Sequence, residues 1–325
     1  MRPYRGDSGQ DRGVRTPLRV AYTLEQCWHR VPGGTASSAL RAAVALADVP
    51  GIELVGVAGR HRRPPQPAFV PTLPVHQLVF RGGVLYETWL RLGWPAVEKA
   101  TGPVDLVHAT GLIPPPSSAP LVATLHDVAW RHRPDHFTRH GVRVFERSLS
   151  VIRARAELVI CPSTVTMLDA ERAGISVDRL RLVPWGVESV PVLDGQIDAV
   201  RARYGLPEEY LLFVGTVEPR KNLARLVEAL GRADTDLPLV VAGAQGWGDT
   251  GVVPSSRVRF IGFVDDGELP ALYAGAAAFC YPSEREGFGM PVLEAMSYGT
   301  PVVTSIGTST EEVAGGAAVL VDPFD

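Results

Sequence analysis

The chain has 325 residues, 46% of them hydrophobic and 21% charged, with 32 Lys+Arg against 35 Asp+Glu for a net charge of −3; this excludes a disordered, collagen-like or coiled-coil chain. The charge is unevenly placed, since residues 1–190 carry 23 basic and 16 acidic side chains and residues 191–325 carry 9 and 19. A field over the whole molecule suited to nucleic acid is therefore excluded, whereas an anionic partner for the basic first half is not.

The length exceeds what one hydrophobic core of about 250–300 residues supports, so two domains are expected. Residues 1–16 are Arg-rich and lack an apolar h-region, which predicts a disordered leader and not a secretion signal. A strand over residues 18–22 leads to the turn Pro32-Gly33-Gly34 and an Ala-rich helix over 35–48, then a strand over 52–57. Residues 60–74 hold five prolines and must be loop. Strands at 105–109 and 121–125, a helix over 138–155 and strands at 158–161 and 180–183 follow. After Pro184-Trp185-Gly186-Val187 comes a polar stretch, and the alternation restarts with strands at 210–215, 239–242, 258–261, 277–281, 301–304 and 317–321. Helices over 222–230, 268–273 and 290–297 lie between them. Strand and helix alternating at this spacing predict an α/β protein with two doubly wound parallel-sheet domains. The expected boundaries are 17–188 and 207–325 with a hinge at 189–206, and terminal helices of the second domain are expected beyond residue 325.

Cys27, Cys161 and Cys280 are odd in number and far apart, and two of them end apolar runs, which predicts reduced core thiols. No run approaches the roughly 18 apolar residues of a membrane span. The expected location is the cytoplasm, at most on the cytoplasmic face of a membrane.

Ligands of open parallel sheets bind beyond the carboxyl ends of the strands, and the informative motifs fall at such ends. Gly33-Gly34 opens a helix after the first strand, where backbone N–H groups face an anion or form a plain turn. Gly215-Thr216-Val217-Glu218-Pro219-Arg220-Lys221 repeats that arrangement. Two cations at a helix start are badly placed for the helix dipole; a diphosphate would explain them, as would a solvated basic turn. Lysine is rare here, Lys221 and Lys99 being the only two. Glu286-Gly287-Phe288-Gly289-Met290-Pro291-Val292-Leu293-Glu294 runs from a strand end into a helix. Its glycines suit phosphate, and its two acids, with seven residues between them, suit sugar and ribose hydroxyls.

The run from Glu286 to Glu294 resembles the E-x7-E signature of the GT-B retaining glycosyltransferases of family GT4. The run from Leu212 to Leu230 is similar to that family's phosphate-binding strand and helix. Val183-Pro-Trp-Gly-Val-Glu resembles its interdomain element, and Thr124-Leu-His-Asp-Val its histidine-bearing strand end. Four motifs in the expected order, across residues 18–325, imply a GT-B fold with two Rossmann-like domains facing a cleft.

The resemblance implies that Arg220 and Lys221 bind the donor pyrophosphate, Glu294 the ribose and Glu286 the transferred sugar. It places the backbone of Phe288, Gly289, Met290 and Pro291, with Gly215 and Thr216, around donor phosphate and sugar. His126 stands beside the forming bond, and Gly33 and Gly34 close over the phosphates from the opposite domain. His126, Glu286, Arg220 and Lys221 are the catalytic candidates. Thr216 stands where many members have arginine, and Trp185 replaces a frequent asparagine. The implied reaction is retaining hexose transfer from a nucleoside-diphosphate sugar to a glycan, lipid-linked or small-molecule acceptor, with no metal and no cofactor. A nucleotide-sugar epimerase and a non-catalytic sugar-nucleotide-binding module are the alternatives.

His126, His132, His136 and His140 lack the spacing and the companions of a metal site, because Pro134 interrupts any shared helix. Arg139, Arg143 and Arg147 repeat at i,i+4 on an amphipathic helix, so residues 139–155 form either a contact for anionic membrane or a solvated face.

Overall fold

The computed structural model describes residues 16–246 and 251–325. The expected leader lies, except for Thr16, outside the described residues. In chain order the first unit contains β1 (Leu18–Thr23), α1 (Gly33–Ala47), β2 (Ile52–Ala58), β3 (Val75–Gln77), α2 (Gly82–Leu92) and α3 (Glu98–Thr101). It continues through β4 (Leu106–Ala109), β5 (Leu121–Thr124), α4 (Ala129–His132), α5 (Arg139–Arg155), β6 (Ala156–Cys161), α6 (Thr164–Arg172) and β7 (Leu180–Leu182). The second contains α7 (Gln196–Tyr204), β8 (Leu211–Val214), α8 (Leu223–Arg232), β9 (Leu239–Ala242), β10 (Val258–Gly262) and α9 (Leu269–Ala274). It ends with β11 (Ala278–Tyr281), α10 (Met290–Ser297), β12 (Val302–Ser305), α11 (Ser309–Ala314) and β13 (Val319–Val321).

Among these residues the strands form two all-parallel sheets, ordered β3-β2-β1-β4-β5-β6-β7 and β10-β9-β8-β11-β12-β13. Each order reverses beside its first strand, β1 or β8, as in a Rossmann-like sheet, and the crevice there is the natural ligand position. The apolar strands are those a parallel sheet covered on both faces requires: all four residues of β9 are buried, as are the last four of β1 and of β2. α1 packs through the small residues Ala36, Ala39 and Ala43, which let it lie close to β1. There the Tyr22 hydroxyl donates to the Ala39 carbonyl at 2.8 Å.

The α/β class and the paired parallel sheets agree with the sequence pattern. The stretch expected to be a polar linker contains α7, whose Ile197, Val200 and Tyr204 pack into the core of the second unit. β3, α2, α6 and α11 were not expected either. β3 has three residues and follows the proline-rich segment, while α6 and α11 are short and carry little apolar periodicity. The three cysteines are free and buried. Burial pushes the Cys27 and Cys161 thiols up to about 12 and the Cys280 thiol up to about 11.

The two units touch along a set of hydrogen bonds. Glu312 of α11 accepts from the Thr164 and Val165 N–H groups at the start of α6, at 2.9 and 3.4 Å. The Gly287 carbonyl accepts from Ser163 Oγ at 2.6 Å and Thr166 Oγ1 at 3.0 Å. Arg285 pairs with the buried Asp169, which His132 also contacts at 2.9 Å, and Arg133 pairs with Glu284.

Candidate active site

β8 ends in Val214, and the loop behind it brings Gly215, Thr216, Glu218, Arg220 and Lys221 to the start of α8. Gly215 has φ +153°, and a Cβ there would sit 3.1 Å from Lys221 Cδ, so glycine leaves the lysine stem its path. Thr216 carries no charge, and its methyl lies under Gly246, where a Cβ would meet it at 2.6 Å. Lys221 is buried and donates to Glu286 Oε1 at 2.9 Å and to the Tyr281 hydroxyl. Arg220 reaches Glu286 Oε2 and Glu218 Oε1, each at 2.8 Å. The two cations therefore meet carboxylates of the protein itself, and their position at the helix start does not by itself require an external anion.

Glu286 is the hub of this cluster. Its carboxylate also accepts from Ser283 Oγ at 2.7 Å and the Tyr281 hydroxyl at 3.0 Å, and its carbonyl accepts from Ser309 Oγ at 2.7 Å. Burial opposes its ionisation, but Arg220 and Lys221 outweigh that and hold its carboxyl well below the usual carboxylate range. Burial raises the pKa of Glu218, whose Oε2 has no hydrogen-bond partner among the described residues. Glu218, Tyr281 and Ser283 are members of this cluster that the motifs alone did not single out. Glu218 lies within the same charged run, and Ser283 stands three residues before Glu286, which were the available signals.

Gly289 has φ +109° and precedes α10, and a Cβ there would sit 2.8 Å from Thr310 Cγ2. Met290 and Pro291 then form the first positions of that helix. Gly287 has a different reason to be glycine from the phosphate contact its sequence suggests. A Cβ on it would lie 1.9 Å from the His126 carbonyl oxygen, so it is a point of close approach between the units. Glu294, one turn into α10, accepts from the Tyr273 hydroxyl at 3.0 Å and lies 4.0 Å from Arg41 of α1. Burial raises its carboxyl above the ordinary range.

From the first unit, His126 follows β5 and is buried. Its Nε2–H donates to the Thr110 carbonyl at 2.7 Å, and its Nδ1 has no hydrogen-bond partner among the described residues. Burial lowers its pKa, so the ring is neutral with an open lone pair. Trp185 bridges the halves, its ring 5.3 Å from His126 and 5.7 Å from Phe288. Gly33 and Gly34 are the first two residues of α1, where a Cβ on either would meet nothing within 4 Å. Arg220, Lys221 and Glu286 thus form one cluster, His126 and Phe288 both pack on Trp185, and Glu294 meets Tyr273 and Arg41 of the helix that Gly33-Gly34 opens.

His132, His136 and His140 do not join His126. His132 faces Asp169, His136 lies 3.8 Å from Asp135, and His140 lies 3.7 Å from Glu87. On α5, Val142, Phe145, Leu149 and Ile152 pack into the first core, and Arg147 contacts Glu87 at 3.4 Å. Arg139 and Arg143 are exposed.

Residues 32–189 match the family described as "Glycosyltransferase Family 4", and residues 197–325 match "Glycosyl transferases group 1". The chain is similar to the O-antigen chain mannosyltransferase B of Escherichia coli, 36% identical over 63% of this chain and 58% of that protein. It is 32% identical to the serotype-specific mannosyltransferase WbdA of Escherichia coli over 48% of this chain, but spans only 21% of that relative's length. The D-inositol 3-phosphate glycosyltransferase of Acidothermus cellulolyticus is 29% identical over 81% of this chain and 64% of its own. Among solved structures, Anabaena HepE in complex with UDP and glucose superposes with a TM-score of 0.70 at 19% identity, covering 94% of this chain and 86% of that one. At that identity the likeness shows the fold, which is GT-B.

Proposed function

The chain belongs to the group 1 glycosyltransferases of family 4, and on that premise we propose that it moves a hexose, of mannose or glucose type, from a nucleoside-diphosphate sugar to an acceptor hydroxyl. The observation that carries this proposal is the Glu286 cluster. One buried carboxylate holds Arg220 and Lys221 at the start of α8, at the C-terminal edge of the second sheet, and the next residue, Gly287, lies against the His126 carbonyl. The donor diphosphate lies against Arg220 and Lys221, which share their charge between it and the two carboxylates. The ribose hydroxyls donate to Glu294, and hydroxyls of the sugar to Glu286. As the sugar–phosphate bond breaks, the two cations and the helix ends stabilise the charge that develops on the departing diphosphate.

Retention follows if the leaving phosphate itself takes the acceptor proton on the face from which it departs, so that no side-chain base is needed. The neutral His126, its Nδ1 open, accepts a hydrogen bond from the sugar or the acceptor at that point. The contacts of Gly287 with Ser163 and Thr166 keep the units together and exclude water, which otherwise hydrolyses the donor. No metal and no cofactor take part in this proposal.

The acceptor is a glycan or a lipid-linked molecule, consistent with the names of the mannosyltransferase relatives. Among the described residues no helix is long and apolar enough to cross a membrane. Contact with an anionic cytoplasmic membrane face would run through the exposed Arg139 and Arg143. A donor panel tests the proposal: GDP-mannose, UDP-glucose and UDP-galactose by calorimetry, then mass spectrometry of transfer onto cell extract. Binding of one donor with mass gain only when acceptor is present supports transfer. Interconversion of free nucleotide sugars contradicts it.

A further inference from the structure

Asp169 is a buried carboxylate that the proposed reaction does not use, and it belongs to a polar stripe on α6. Ser163 caps this helix, accepting from the Thr166 N–H at 3.1 Å, and Thr166 and Asp169 follow at three-residue steps, so the three side chains share one face. All three are buried. A buried polar stripe is costly unless its groups are paired, and here partners come from the other unit. The Ser163 and Thr166 hydroxyls both donate to the Gly287 carbonyl, at 2.6 and 3.0 Å, which occupies both lone pairs of that oxygen. Asp169 pairs with the Arg285 guanidinium, with His132 Nε2 at 2.9 Å on its own unit and the exposed Arg172 at 3.5 Å.

These contacts bracket Glu286. Arg285 and Gly287, the residues on either side of it, are held by the first unit, while its own carboxylate turns to Arg220 and Lys221 of the second. One residue earlier, Glu284 pairs with Arg133, and its N–H donates to the Arg220 carbonyl at 2.8 Å. The Arg285 carbonyl accepts from Arg220 Nη1 at 3.1 Å, and among the described residues its guanidinium pairs with no carboxylate but Asp169. Arg285 is therefore the charged link between α6 and the cluster of Arg220 and Glu286.

We propose that Asp169 is a positioning residue: acting through Arg285, it sets from the first unit the place of Glu286 beside the transferred sugar. This role deepens the transferase reading given above and rests on it. Without the Asp169 charge, Arg285 loses its anion and the loop loses one of its anchors on α6. The contacts of Lys221 with Glu286 and of Glu294 with Tyr273 lie within the second unit and are not made by Asp169. Loss of Asp169 thus leaves nucleotide binding in place and loosens the sugar end of the site, where a small misplacement is costly to the rate. The same loosening admits water to the donor, so hydrolysis gains on transfer.

The test compares the whole wild-type chain with Asp169→Asn, Arg285→Gln and the double variant. Calorimetry gives the affinity for GDP and UDP, and turnover of the preferred donor gives kcat, donor KM and the share of donor hydrolysed instead of transferred. Hydrogen exchange is followed in the peptide spanning residues 282–289. The expected result is a fall in kcat of about tenfold in each single variant, with nucleotide affinity unchanged. The double variant should be no worse than either single one, because both changes break one link. The hydrolysed share should rise, exchange should quicken in that peptide and not across the second unit, and Arg285→Lys, which keeps the charge, should retain most of the rate. Wild-type kcat in both single variants, additive losses in the double one, or exchange raised evenly over the second unit overturns the proposal. If Asp169→Asn does not fold, the half-buried Arg285→Gln decides by the same readouts. If the wild type turns over no donor, the transferase reading fails separately. Exchange in the 282–289 peptide then still decides whether Asp169 holds the loop, faster exchange in the variants supporting it and wild-type exchange overturning it.

Discussion

Lys221 is buried, and its ammonium and the Arg220 guanidinium are fastened to one carboxylate, Glu286, on an adjoining loop. Removing that carboxylate leaves two cations in a poorly hydrated place, so Glu286→Ala should lower stability by about 3–5 kcal/mol in a denaturant titration. The pH dependence of the cluster has a definite sign. Because the folded-state pKa of Glu286 is depressed, its contribution is present above the ordinary carboxylate pKa and is lost only as pH falls through the lower folded value. Glu294 behaves oppositely. Burial raises its pKa, and ribose hydroxyls need the ionised form, so donor affinity should fall on acidification at a higher pH than an ordinary carboxylate would give. Glu294→Gln should bind donor weakly and lose that pH dependence in calorimetry; a variant that keeps the wild-type pH profile would remove Glu294 from the ribose site. Both acids, and both cations, were legible in the sequence because charged residues beside glycines at a strand end have few structural uses. Glu218, Tyr281 and Arg41 were not, since their partners lie in other elements and only the folded chain brings them together.

At the scale of elements, the loop that carries Glu286 is held between α10, which it enters, and α6, which belongs to the other unit. The strands other than β3 were legible because parallel strands buried on both faces read as short apolar runs. α6, α7 and α11 were harder to find. α7 carries Ile197, Val200 and Tyr204 at helical spacing but sits in an otherwise polar stretch, and α11 has six residues. The contacts of α6 follow from tertiary geometry, with Glu312 reaching across from α11 to its first N–H groups. Glu312→Ala should therefore cost about 1 kcal/mol, the usual loss of a helix cap. Gly287→Ala is the sharper probe, because its Cβ would fall 1.9 Å from the His126 carbonyl oxygen and must push the loop away from the first unit. The expected outcome is a loss of about 100-fold in kcat, the scale of a 1 Å misplacement, with little change in affinity for the nucleoside diphosphate. Wild-type kcat in this variant would contradict close approach of the units during turnover.

At the scale of the molecule, the charge asymmetry takes on a structural meaning. On the proposed function the acidic second half would hold its anionic donor through two local cations and helix ends, against its own net charge. The basic first half presents Arg81, Arg139 and Arg143 without carboxylate partners among the described residues. Transfer to an anionic acceptor should weaken as ionic strength rises, whereas donor binding at the buried cluster should change little. A salt series on acceptor KM checks this, and an acceptor KM indifferent to salt would argue against an anionic acceptor. The central claim is that Lys221 and Glu294 together form the binding site of a nucleoside-diphosphate sugar. Calorimetric titration of the preferred donor into wild type, Lys221→Ala and Glu294→Ala tests it most directly: both substitutions should weaken binding sharply, and unchanged affinity in both would contradict the assignment.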